Sequence, residues 1–143
     1  MTPDIIRQKA TIIHNCIHQI QLSTDLNPAS LDKQLIQDAF VLNVQRATQA
    51  ASDLASWVCK DKKLGIPDTY KKSFELLFQH DFIDASVLHS MKSMFGFRNI
   101  AIHEYKKINV DILKSILTKH LIDLEKFYQL VINIYDSTKQ FTK

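Results

Sequence analysis

The 143 residues carry 18 Lys and Arg against 15 Asp and Glu, and the net charge of +3 suits a polyanionic partner without requiring one. Apolar residues make up 45% of the chain and only 2 Gly and 3 Pro interrupt it, which excludes a disordered protein and favours long helices over strands. No apolar run approaches the ~20 residues that span a bilayer. MTPDIIRQKA has no basic stretch leading into a hydrophobic one, so the expectation is a cytoplasmic protein with no membrane association.

In chain order, the first helix opens with Thr2 as its N-cap, Pro3 at the first helical position and Asp4 in the first turn. Its stripe is Ile6, Ala10, Ile13, Ile17 and Ile20, and it ends in the polar segment STDLNPAS. Ser30 caps the second and longest helix, in which Phe40, Val44, Ala47, Ala51, Leu54 and Val58 hold one face apolar. The small residues Ala47, Ala50, Ala51 and Ala55 let a neighbour approach closely, and Gly65 and Pro67 end the helix. A shorter helix from about Thr69 to Gln79 turns Phe74, Leu77 and Phe78 inward. Asp84 caps the fourth helix, and Asn109 caps the last, with the stripe Val110, Leu113, Leu117, Leu121, Leu124, Tyr128 and Val131. Short connections between such helices give an all-α, up-and-down bundle of about five helices in one domain, residues 1–143. Cys16 and Cys59 sit in apolar helical patterns without metal-like spacing, as buried thiols do in a reducing compartment.

The fourth helix breaks the packing pattern. Leu88, Met91, Phe95, Ile102 and Tyr105 share a stripe, and by the same spacing so does Arg98. A guanidinium there loses hydration and needs a partner, a water-filled cleft or a subunit interface. At about 100° per residue, Arg98 and Tyr105 lie only about 20° apart, and Asn99 and His103 about 40° apart. Arg98 and His103 are about 140° apart on an ideal helix. They meet at one phosphate only if the helix loosens, the arginine reaches around, or a second copy of the chain supplies one of them across a two-fold axis.

No serine or cysteine nucleophile accompanies this set, and no carboxylate cluster is at hand for a metal: Glu104 stands alone and Asp111 lies in the next helix. What remains is an imidazole that titrates near neutrality, a phosphate-binding guanidinium and two hydrogen-bonding groups. That inventory suits metal-independent RNA cleavage, with the substrate's 2′-OH as nucleophile, His103 moving protons and Arg98 stabilising the phosphoryl oxygens; no cofactor is needed. DNA lacks the 2′-OH and is not expected to react.

The string Arg98-Asn99-Ile100-Ala101-Ile102-His103-Glu104-Tyr105 resembles the Arg-x4-His-x-Tyr motif of the HepT toxins in the HEPN superfamily. The long second helix with LNVQRATQA, the KKLGIPDTYKKSFELL turn and helix, and the terminal helix extend the likeness. The resemblance implies a HEPN-like homodimeric ribonuclease toxin, with the motif at the dimer cleft, acting on cellular RNA with transfer RNA among its targets. It implies a cognate minimal nucleotidyltransferase (MNT) antitoxin that transfers AMP to the motif tyrosine, here Tyr105. An adduct there would place charge and bulk where the RNA phosphate sits.

The plainer alternatives are a non-catalytic HEPN module that binds a nucleotide or a nucleotidyltransferase partner, and a helical adaptor whose Arg98 closes a dimer interface. Arg46, mid-way along the second helix, either lines the same groove or pairs with an acid across the bundle. Lys106 and Lys107 directly follow the motif and are candidates for guiding an RNA backbone, whereas Lys60, Lys62 and Lys63 read as solvated surface. His14 and His18 have one-turn spacing but no third metal ligand, and His80, His89 and His120 lack a companion constellation.

Overall fold

Apolar side chains recurring every three to four residues become the buried faces of a helical bundle. The computed structural model describes residues 3–103 and 109–136, with 101–103 as helical backbone. Helix α1 (Asp4–Thr24) buries the expected stripe from Ile6 to Ile20. Pro3 sits at its N-cap, one position ahead of the place the sequence suggested, and Thr2 lies outside the described residues. The helix stops where Asp25 and Leu26 turn left-handed, at φ 52 and 59. The Thr24 hydroxyl holds that turn, donating to the Ile20 carbonyl at 2.7 Å and accepting from the Leu26 amide at 3.1 Å.

Ser30 does not cap the second helix. Asn27 and Pro28 start a 3-10 turn first (Pro28–Asp32), because the Asn27 side chain accepts from the Ala29 amide and the proline ring presets the backbone. The Ser30 hydroxyl is spent on the Asn27 carbonyl at 2.7 Å, and α2 begins at Gln34. Helix α2 (Gln34–Asp61) then keeps Phe40, Val44, Ala47, Ala51, Leu54 and Val58 fully buried. Its alanines let α1 pack along most of its length, and Lys9 pairs with Asp53 at 3.0 Å, fixing the two as antiparallel. Truncating a side chain such as Leu54 in this seam would cost about 2–5 kcal/mol. Gly65, at φ 138, makes the turn out of α2 with a backbone that L side chains rarely adopt.

Thr69 caps α3 (Tyr70–Gln79), its hydroxyl accepting from the Lys72 amide at 3.1 Å. Phe74 and Leu77 face inward as expected, but Phe78 is 39% exposed. The buried face of α3 runs through Ser73, Phe74, Leu76 and Leu77 toward α2 and α4, leaving position 78 on the solvent margin. Helix α4 (Ala85–His103) is capped by Asp84, whose carboxylate accepts from the Val87 amide at 2.9 Å.

Asn109 caps the last rod, accepting from the Asp111 amide at 2.8 Å. That rod is α5 (Val110–Ser115) and α6 (Leu121–Tyr135), joined by a π turn (Ile116–His120) in which the Leu121 amide reaches back to the Ile116 carbonyl. Leu113, Leu117, Leu121, Leu124, Tyr128 and Val131 are buried as the stripe requires. Asp84 pairs with Lys126 and Ser86 bonds Asp123, so α4 runs antiparallel to the rod. The result among the described residues is the all-α bundle that the spacing predicts, its fifth helix interrupted by the π turn. Cys16 and Cys59 are buried free thiols, and burial pushes both up from the ordinary thiol range. No helix among the described residues is long and apolar enough to cross a membrane.

Candidate functional site

Arg98 sits on the half of α4 that faces α2 and α3, and it is half-buried. Its partner is Gln49 of α2, whose side-chain carbonyl accepts from Arg98 Nη2 at 2.6 Å. The guanidinium carbon lies 5.9 Å from the centre of the Tyr70 ring, which itself stacks on Phe95 with planes 6° apart. Gln49 is fixed in turn: its amide donates to Asp53 at 3.0 Å, and Asp53 is held by Lys9. This chain of contacts resolves the anomaly of a cation on a core stripe. Among the described residues a neutral oxygen and an aromatic ring steady the guanidinium, and neither cancels the charge that suits it to a phosphate.

Arg98 lines a cavity of about 360 Å³ between α3 and α4, together with Tyr70, Lys71, Lys92, Gly96 and Asn99 among others. Asn99 is exposed on its rim, next to Arg98 as the motif places it. Arg46 is exposed on α2 and lines a neighbouring cavity of about 500 Å³ with Lys9 and Asp53. Gln49 belongs to that second cavity too, so it stands between the two arginines.

His103 closes α4 as backbone, and Tyr105, Lys106 and Lys107 lie outside the described residues. Of the three ways for Arg98 and His103 to meet, loosening of the helix between them is not the one taken, because α4 stays α-helical through His103. Reach-around or a second copy remains. No group of three or more His, Cys, Asp or Glu among the described residues is placed to hold a metal ion.

Two contributors escaped the sequence reading. Gln49 lies 49 positions from Arg98, and Tyr70 opens a different helix, so no local pattern announces either. A second polar cluster also went unforeseen: His120 has companions after all. The 2%-exposed Ser90 lies with its hydroxyl 2.9 Å from His120 Nδ1 and donates to Asp123 at 2.5 Å, while the His89 ring stands 5.9 Å from His120. Burial, then the neighbouring His89, holds the His120 imidazole below its ordinary range. Here the serine sits between the acid and the imidazole and is closed to solvent, so the trio makes no nucleophile. His14 and His18 are exposed, and His14 touches the Tyr128 hydroxyl at 3.2 Å.

Comparison with known proteins agrees with this architecture. The family model for ribonuclease HepT-like proteins matches residues 13–131. An mRNA nuclease HepT from Shewanella oneidensis is 35% identical over 128 residues, covering 90% of this chain and 96% of its own. A tri-AMPylated HEPN toxin of Shewanella oneidensis, solved in complex with its MNT antitoxin, superposes with a TM-score of 0.84 at 34% identity, covering 92% of this chain and 98% of the other. A toxin–antitoxin structure with AMP-PNP gives 0.81 at 35% identity, covering 90% and 98%.

Proposed function

This chain belongs to the HepT-like ribonuclease family, and from that premise we propose that it is the toxin of a toxin–antitoxin pair, a metal-independent endoribonuclease acting on cellular RNA in the cytoplasm. The observation that carries the reading is Arg98: a guanidinium tethered by Gln49 at the wall of an open cavity, on the same helix as His103. The 2′-oxygen of the substrate attacks the adjacent phosphorus and the bond to the 5′-oxygen breaks, leaving a 2′,3′-cyclic phosphate and a 5′-hydroxyl. His103 takes the 2′-OH proton or returns one to the leaving oxygen, and Arg98 stabilises the negative charge that builds on the phosphoryl oxygens. Asn99, Lys106, Lys107 and, from the neighbouring cavity, Arg46 guide the backbone.

The two-chain arrangement follows from helix geometry. With about 140° between Arg98 and His103 on a regular helix, a homodimer that brings two copies of α4 together lets one copy supply the arginine and the other the histidine. The cognate MNT-type nucleotidyltransferase neutralises the toxin by moving AMP onto the Tyr105 hydroxyl, with pyrophosphate leaving from ATP. The Shewanella relatives, one tri-AMPylated and bound to its MNT antitoxin, support this.

The test incubates the chain with transfer RNA and messenger RNA in EDTA, beside His103→Ala. Cleavage that survives the chelator and is lost in the variant is expected, and equal background in both would mean a non-catalytic module. Mixing with the antitoxin and ATP should add whole AMP units to Tyr105 by mass spectrometry. Full neutralisation without added mass would mean occlusion instead. A monomer in light scattering at micromolar concentration would remove the shared cleft.

A further inference from the structure

The cavity beside Arg98 is built for more than a phosphate. Tyr70 is backed by Phe95 in a near-parallel stack and has the Arg98 guanidinium carbon 5.9 Å from its ring centre, yet the residue remains 41% exposed at the cavity wall. An aromatic residue braced by a neighbouring helix and still partly exposed beside a cation is a platform for a flat heterocycle. Beside it, Gly96 occupies the interior of α4, where glycine is the poorest helix former apart from proline. A Cβ at Gly96 would meet nothing within 4 Å, so no packing among the described residues requires the glycine. Its effect is to leave this stretch of the cavity lining without a side chain. Lys71 and Lys92 add positive charge at the same wall, Lys92 while pairing with Glu75 at 3.2 Å.

We propose that this cavity is a nucleobase subsite: one base of a single-stranded RNA stacks on Tyr70 above Gly96, its phosphates held by Arg98 and Lys71. The inference rests on the ribonuclease reading and deepens it, since it says how the reacting phosphodiester is held in register. Stacking is tolerant of base identity, so the subsite fixes where the strand lies more than which sequence it carries.

Binding is measured by fluorescence anisotropy with the full chain carrying His103→Ala, so that the RNA stays intact. The probe is a short single-stranded RNA, compared with the same RNA bearing one abasic position moved stepwise along it. Tyr70→Leu and Gly96→Leu should each weaken binding of the intact RNA about fivefold or more, and Tyr70→Phe should recover most of that loss. One abasic position should weaken binding to the parent by a similar factor and add no further loss in Tyr70→Leu.

Gly96→Leu guards against a folding artefact, because its Cβ enters open space; its melting temperature is recorded alongside. Undiminished binding by both leucine variants, or a full abasic penalty persisting in Tyr70→Leu, overturns the subsite. If those results come with His103-dependent cleavage, only the subsite falls. If the chain with His103 intact cleaves no RNA and the parent binds none, the ribonuclease reading falls and takes the subsite with it.

Discussion

The two ends of α4 carry polar clusters of opposite character. Near its start, Ser86 and Ser90 close on Asp123, Ser90 also meets His120, and Asp84 pairs with Lys126. Near its end, Arg98 has a neutral acceptor from Gln49 and the Tyr70 ring beside it among the described residues, and it lines a cavity. The first cluster contains a serine, a histidine and an aspartate, which by residue type alone would read as hydrolytic machinery. What separates the two is satisfaction: a polar group whose partners are all internal stabilises the fold, and one left with spare donors at an opening can act on something else.

The largest effect that would break this contrast is chemical. His103→Ala should lower chelator-resistant RNA cleavage by about 10²–10⁴-fold with little change in melting temperature. A variant that cleaves normally would put the chemistry elsewhere. Next is Gln49→Ala, which frees the guanidinium from its tether. Cleavage should drop about tenfold, mostly in kcat because the arginine is needed in place at the moment of charge build-up. An unchanged kcat would mean that Arg98 needs no positioning.

At the other end of the helix, Ser90→Ala should destabilise the fold by about 1 kcal/mol, read by chemical denaturation, and leave cleavage untouched. Loss of activity without loss of stability would move that cluster into the machinery. The smallest effect is a pH dependence. His120 is held below its ordinary 6.5, so the unfolded chain takes up a proton before the folded one does. Stability contributed by neutral His120 is therefore present above about pH 6.5 and lost as pH falls through the folded value. The melting temperature should fall on acidification and fall less in His120→Gln; an identical fall in both would assign it to other groups.

These two clusters also mark where sequence reasoning reaches its limit. Buried stripes on α1, α2 and the last rod were legible, because each is a periodic signal within one helix. Arg98 was legible for the same reason inverted, a cation where the period calls for an apolar residue. Its partners were not, since Gln49 and Tyr70 arrive from other helices and only the packed bundle brings them within reach. The misplaced Ser30 cap and the exposed Phe78 have a common cause. Local preference names several residues able to do a job, and which one does it depends on neighbours distant in sequence. His120 was missed through the same blindness, its companions lying on α4 and α6.

The π turn at Ile116–His120 carries a consequence for kinship. A turn bonded from i to i+5 holds an extra residue compared with an α turn, so excising one position from it would restore a regular α-helix and leave everything beyond it facing as before. Asp123 and Lys126 would keep their α4 partners, and the oily seam through Leu124 and Val131 would stay inside. Cousins of this chain that are one residue shorter across the stretch should therefore keep both the Ser90 position and the downstream seam, and a gap in alignment there marks a relaxed turn rather than a remodelled bundle.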